Sequence, residues 1–219
     1  MIQTVIFDMD GVIVDTEPVH KYAYYKHFEE LKLNIPEEVY TTFTGNSTKN
    51  VYQKIKDNYG ILTEVEELVL RKRALFNDAF DTKPDLELIS GVRALIEDLH
   101  NNEVQLILAS SASMSTINRV FNRFELFPFF THIVSGENFP KSKPDPAIFL
   151  HAVSLSVAAK EHCVIIEDST NGVKAAVAAD IDCIAYHSKN SKMQDLRGAK
   201  FFISDFADFK AKDIKGLSF

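Results

Sequence analysis

Short, nearly unbroken apolar runs recur along this chain: Val5-Ile6-Phe7, Val104-Gln105-Leu106-Ile107-Leu108, His132-Ile133-Val134, Val164-Ile165-Ile166 and Ile181-Asp182-Cys183-Ile184-Ala185. Runs of this length, rich in β-branched residues and lacking strict alternation, predict strands covered on both faces, as in a parallel sheet. Between the later runs the apolar period lengthens and predicts helices over 91–101, 114–124, 144–154 and 171–179. Pro144, with Asp145 beside it, marks the start of the third, and Ala175, Ala176, Ala178 and Ala179 suit a helix packed close to a sheet. Strand–helix alternation of this kind predicts an α/β fold with a doubly wound, Rossmann-like parallel sheet.

One stretch departs from the alternation. Residues 16–82 contain no convincing strand, only helical patterns over 18–31, 37–43, 47–59 and 64–80. The expected organisation is an α/β core formed by 1–15 and 83–219, interrupted by a helical insertion over 16–82. The hinges fall at 14–16 and 81–88, the second carrying Pro84. In the last inserted helix, about 100° per residue puts Val65, Leu68, Val69, Leu75, Phe76, Ala79 and Phe80 on one face with Lys72 at its centre. A lysine there is costly unless its ammonium reaches water or an anion. Snorkelling between helices and reaching across a cleft to an anionic substrate both satisfy that condition.

Composition narrows the function. The 219 residues are 46% apolar and 25% charged, ordinary for a globular protein. A formal net charge of -7 argues against a nucleic-acid surface, which is built from clustered Lys and Arg, so a phosphorylated ligand should be small and locally held. Cys163 and Cys183 are too few for a disulfide framework or a structural zinc site. No apolar window reaches membrane-spanning length, and a cytoplasmic setting is the expectation.

The candidate chemistry lies at strand ends. The first strand runs into Asp8-Met9-Asp10-Gly11, and another buried run ends in Glu167-Asp168-Ser169. Isolated acidic pairs are commonly solvated turns, and Glu167-Asp168 could cap a helix, a task that Ser169 or Asn171 would perform as well. Their position at the carboxyl ends of parallel strands, where open α/β sheets bind ligands, favours a site. Four carboxylates gathered there call for a cation, and hard oxygen donors suit Mg²⁺. Ser110-Ser111 precedes a helix, as phosphate cradles do, and Lys143 precedes Pro144; either signal is weak alone.

Together, Asp8-Met9-Asp10-Gly11-Val12, Ser110, Lys143-Pro144 and Glu167-Asp168, in that order, resemble the motifs of the haloacid dehalogenase superfamily. The helical insertion resembles that superfamily's first cap type, and the likeness is closest to β-phosphoglucomutases and small sugar-phosphate phosphatases. The resemblance implies Asp8 as nucleophile, Asp10 as general acid and base, and Lys143 as the neutralising cation. It further implies phosphoryl oxygens held by Ser110 and the N–H groups of Ser111 and Met9. Mg²⁺ would be gathered by Asp8, the Asp10 carbonyl, Glu167 and Asp168. A proton on Asp10 would protect the leaving oxygen, so a raised pKa is expected there. Thr16, His20 and Lys72 match hinge and cap positions in the mutases, beside Gly45. Thr48 stands where those mutases carry a phosphate-gripping arginine, which favours a Mg²⁺-dependent phosphatase working through an aspartyl-phosphate. The alternatives are a β-phosphoglucomutase and, from another class, a non-catalytic phosphometabolite-binding module. The oligomeric state is not legible.

Overall fold

The computed structural model describes residues 1–188, 193–207 and 209–217. The first apolar run forms β1 (Thr4–Phe7), and four helices follow before the chain returns to the sheet: α1 (Glu17–Glu30), α2 (Glu37–Tyr40), α3 (Thr48–Tyr59) and α4 (Val65–Asp81). Strands and helices then alternate through α5 (Val92–Asn101), β2 (Gln105–Ser110), α6 (Met114–Arg123), β3 (His132–Ser135), α7 (Ala147–Ser154), β4 (Cys163–Glu167) and α8 (Thr170–Ala178). The chain closes with β5 (Asp182–Tyr186), β6 (Phe201–Ile203) and α9 (Ala211–Lys215). All strand pairs are parallel, in the order β3-β2-β1-β4-β5-β6. Winding therefore runs outward from β1 to β3 and then resumes at β4 on the other side. Such a reversal opens a crevice at the strands' carboxyl ends. Asp8 follows β1 directly into it.

Both faces of the sheet are covered, which is why its strands read as continuous apolar runs. Val5, Phe7, Leu106, Leu108, Val164 and Ile166 meet α5, α6 and α9 on one face. On the other, Ile6, Ile107, Ala109, Ile165 and Cys183 meet α7 and the alanine-rich side of α8. Both cysteines are buried free thiols. The inserted helices keep a separate core built on Tyr24, Phe28, Phe43, Tyr52, Leu68 and Val69. Val19, Ala23, Phe76 and Phe80, from α1 and α4, instead join the core of the sheet. Among the described residues no helix is long and apolar enough to cross a membrane.

Local differences have local causes. The helix expected from Pro144 starts at Ala147, because Asp145 N–H bonds back to Ser142 O at 3.0 Å and the chain is still turning. The pattern over 37–43 divides into α2 and a 3₁₀ turn at Thr41–Phe43. β6 and α9 were not foreseen. β6 is a three-residue edge strand with Phe201 and Phe202 exposed, and α9 has five residues, so neither sustains a period.

Candidate active site

Beyond β1 the chain folds over Met9, whose carbonyl accepts from Ile13 N–H at 2.9 Å. Gly11 makes the turn with φ +83°, and a Cβ there would stand 2.2 Å from Asp168 Oδ2. Backbone and space both require glycine, and the turn leaves Asp8 and Asp10 at the mouth of the crevice.

Lys143 is buried beneath Asp8 and commits its ammonium to Asp8 Oδ1 at 2.6 Å, Glu167 Oε1 at 2.8 Å and Ala109 O at 3.0 Å. Burial alone would lower its pKa, but Asp8 and Glu167 raise it, so the cation persists at any physiological pH. Glu167 is fixed on its second oxygen by Asp168 N–H, Ser169 N–H and the Ser169 hydroxyl, at 2.8 to 3.0 Å. That hydroxyl also accepts from Gly172 N–H and so caps α8, leaving Asp168 without a capping task.

Ligand oxygens of Asp8, Glu167 and Asp168 all lie within 4.8 Å of one another. Burial, and then the neighbouring carboxylates, push Asp8 and Asp168 well above the usual range, although Lys143 works against this at Asp8. Three buried carboxylates facing one ammonium leave excess negative charge with oxygen donors only. A hard divalent cation such as Mg²⁺ fits that donor set. The Asp10 side chain stands outside the group.

Asp10 accepts instead from the Thr16 hydroxyl, and His20 Nε2 stands 3.5 Å from its Oδ1. Lys72, 2% exposed, lies behind His20 with its Nζ 2.6 Å from Nδ1 and 4.3 Å from the centroid of the Tyr24 ring. An ammonium donating to Nδ1 puts the ring proton on Nε2, toward Asp10. Burial and Lys72 hold His20 below its ordinary pKa, and burial brings Lys72 down to about 7. Burial would raise Asp10 as well, but His20, Thr16 and Lys72 outweigh it and hold it below the usual value. The raised pKa expected for Asp10 is thus corrected: in the free protein it is a carboxylate, because the Thr16 hydroxyl donates to it and His20 and the charge of Lys72 favour its ionised form.

One pocket opens over these groups, lined on the core side by Asp8, Asp10, Ser111 and Asp168, and on the insertion side by His20, Gly45 and Thr48, with free space of about 70 Å³. Met9 and Ser110 are buried and do not line it, and the Ser110 hydroxyl accepts from Ala112 N–H at 3.1 Å. Neutral hydrogen bonds draw the insertion onto the core. Ser111 Oγ donates to Gly45 O at 2.8 Å, Asn171 Nδ2 to Thr44 O at 2.7 Å, and Asn50 Nδ2 to Ser142 Oγ at 2.8 Å. Gly45, at φ +78°, allows the approach, since a Cβ would meet Ser169 Oγ at 2.5 Å.

Glu17, Tyr24, Tyr40, Phe43 and Asn46 also line the pocket, and motif reasoning gives none of them a role. Glu17 sits in the first turn of α1, where an acidic residue ordinarily serves the helix dipole. Its place in the hinge stretch Thr16-Glu17-Pro18-Val19-His20 is the available signal.

Residues 5–186 match the family model of the haloacid dehalogenase-like hydrolases. A phosphorylated carbohydrates phosphatase of Thermotoga maritima is 29% identical over 86% of this chain and 87% of its own. A β-phosphoglucomutase of Bacillus subtilis is 26% identical over 94% of this chain and 91% of its own. The structure of CbbY from Rhodobacter sphaeroides in complex with xylulose-(1,5)bisphosphate superposes with a TM-score of 0.85 over 95% of this chain and 96% of that one, at 22% identity.

Proposed function

The chain belongs to the haloacid dehalogenase-like hydrolases, and on that premise we propose that it is a Mg²⁺-dependent phosphatase of a small phosphorylated sugar, working through a phosphoryl group carried on Asp8. The observation that supports this best is the placement of Asp8. It is a buried carboxylate at a pocket floor, 2.6 Å from the Lys143 ammonium and beside Glu167 and Asp168.

An Asp8 oxygen attacks phosphorus, and the bond to the sugar oxygen breaks as that oxygen takes a proton from Asp10. Water then attacks the acyl phosphate, Asp10 recovers a proton from it, and inorganic phosphate leaves with Asp8 restored. Dividing one displacement in two lowers each barrier. The arriving phosphoryl dianion raises the pKa of Asp10, so a carboxylate of the free protein becomes a proton donor in the complex. Lys143 offsets charge between phosphate and nucleophile, while Glu167 holds Lys143 in position. Mg²⁺, held by Asp8, Asp168, Glu167 and the Asp10 carbonyl, would supply further neutralisation of the transferred group.

Asp8→Asn tests the core of the reading. It should leave the fold intact and lower phosphate release from sugar phosphates by at least about 10³-fold, because an amide is no nucleophile. Wild-type kcat in the variant would overturn the assignment. Mutase chemistry shares the first step, so β-glucose 1-phosphate with catalytic β-glucose 1,6-bisphosphate separates the two. Free phosphate should outpace glucose 6-phosphate, because Thr48 offers one neutral hydrogen bond where an arginine would offer a charged pair.

A further inference from the structure

The pocket over Asp8 is lined on its insertion side by a carboxylate, an imidazole, amide and hydroxyl groups and three aromatic rings, and among the described residues no Lys or Arg lines it. The catalytic floor has Lys143 beneath Asp8, but the wall that would meet the remainder of the substrate has no cation on its surface. Lys72 lies behind that wall, and its ammonium is already engaged by His20 and the Tyr24 ring.

Glu17 is the one acidic group of that wall, and it is fixed rather than free. Tyr40 donates its hydroxyl to Glu17 Oε1 at 2.9 Å, and Tyr40 is itself locked into the insertion's core against Tyr24, Tyr25 and Phe43. Oε2 accepts no hydrogen bond among the described residues. We infer that Glu17 determines specificity, accepting hydrogen bonds from hydroxyls of an uncharged polyhydroxyl segment of the substrate and turning away any substrate with a second anionic group there.

The chemistry follows from the atoms. A carboxylate accepts from hydroxyls and repels phosphate or carboxylate, so the wall selects donors and rejects anions by the same group. Tyr24, Tyr40 and Phe43 offer apolar faces for the C–H side of a sugar while its hydroxyls turn to Glu17. Holding Glu17 in this place is unfavourable: burial, and then Asp10, lift its pKa to about 7 despite the Tyr40 bond. A carboxylate on a pocket wall, outside any ion pair and with Oε2 uncommitted, is placed to accept from a ligand.

The inference rests on the hydrolase reading, and the test separates the two. Phosphate release is measured from acetyl phosphate, glucose 6-phosphate, ribose 5-phosphate, fructose 6-phosphate and fructose 1,6-bisphosphate. Each comparison is a ratio of kcat/KM within one preparation, which loss of folded protein does not alter. In the wild type, the best sugar monophosphate should exceed acetyl phosphate, and fructose 6-phosphate should exceed its bisphosphate by at least about 10-fold. Glu17→Gln should cut the sugar-to-acetyl ratio by about 10-fold, equivalent to ~1.4 kcal/mol. Glu17→Lys should shift the monophosphate-to-bisphosphate ratio by about 10-fold or more toward the bisphosphate. Hydrolysis of acetyl phosphate with ratios unmoved by either substitution overturns the role of Glu17 alone. A wild type that releases phosphate from none of these, acetyl phosphate included, overturns the hydrolase reading and this inference with it.

Discussion

Lys72 shows what a single buried cation does in this protein. Its pKa falls from 10.5 to about 7 in the folded state, because burial outweighs the pull of Asp10 and Glu17. A folded pKa below the unfolded one means that the unfolded chain binds the extra proton between those values. Stability therefore rises with pH from about 7 to about 10.5, and the burial cost is fully present at and below pH 7. Lys72→Met keeps length and removes charge. Its melting temperature should exceed the wild type's most at pH 7 and below, with the gain shrinking toward pH 10. A gain equal at every pH would show that another group is responsible. The same variant strips His20 Nδ1 of its donor and frees the ring to turn from Asp10, so kcat/KM should fall by about 10-fold. The anomaly of a lysine on an apolar stripe was legible in the sequence, but its partner was not. Periodicity tells which face a residue occupies and is silent on which neighbour from another helix meets it there.

At the scale of elements, the groups gathered at the candidate site are legible because each sits where one element hands over to the next. β1 into Asp8, β2 into Ser110, and β4 into Glu167-Asp168 are local patterns of apolar run followed by polar turn. Glu17 and Asn171 escaped because a helix's first turn gives acidic and amide residues an ordinary employment. Ser169 took the capping role, which left Asn171 to reach the insertion. β6 and α9 escaped because they are too short for any period to emerge. The junction of β4 and α8 also carries a packing demand invisible in sequence: a Cβ on Gly172 would stand 1.8 Å from the Glu167 carboxyl. Gly172→Ala should force Glu167 off Lys143, lowering stability by about 2 kcal/mol or more and kcat by at least about 10-fold. Urea unfolding and steady-state kinetics check both, and a stable variant with full activity would show that α8 can shift without disturbing the site.

For the molecule as a whole, the proposed Mg²⁺ site would couple folding to the cation. The like charges of Asp8, Glu167 and Asp168 oppose the folded state, Mg²⁺ bound among them would offset that repulsion, and the unfolded chain does not hold these residues together. At 100-fold excess over Kd, binding should stabilise the fold by about 2.7 kcal/mol, which for a chain of this size corresponds to roughly 5–10 °C in Tm. Asp168→Asn should lose most of that shift, whereas a wild type that melts at one temperature with chelator and with Mg²⁺ would contradict the coupling. The small free space of the pocket has a consequence of another kind. About 70 Å³ holds a couple of waters and falls short of the several hundred that a sugar phosphate needs, so α1–α4 are expected to swing from the core to admit it. The helices then move through solvent as a paddle does, and friction enters the rate. If that swing is the slow step, kcat on the best substrate should fall nearly in proportion to added sucrose viscosity, while a kcat indifferent to viscosity would place the slow step at phosphorus.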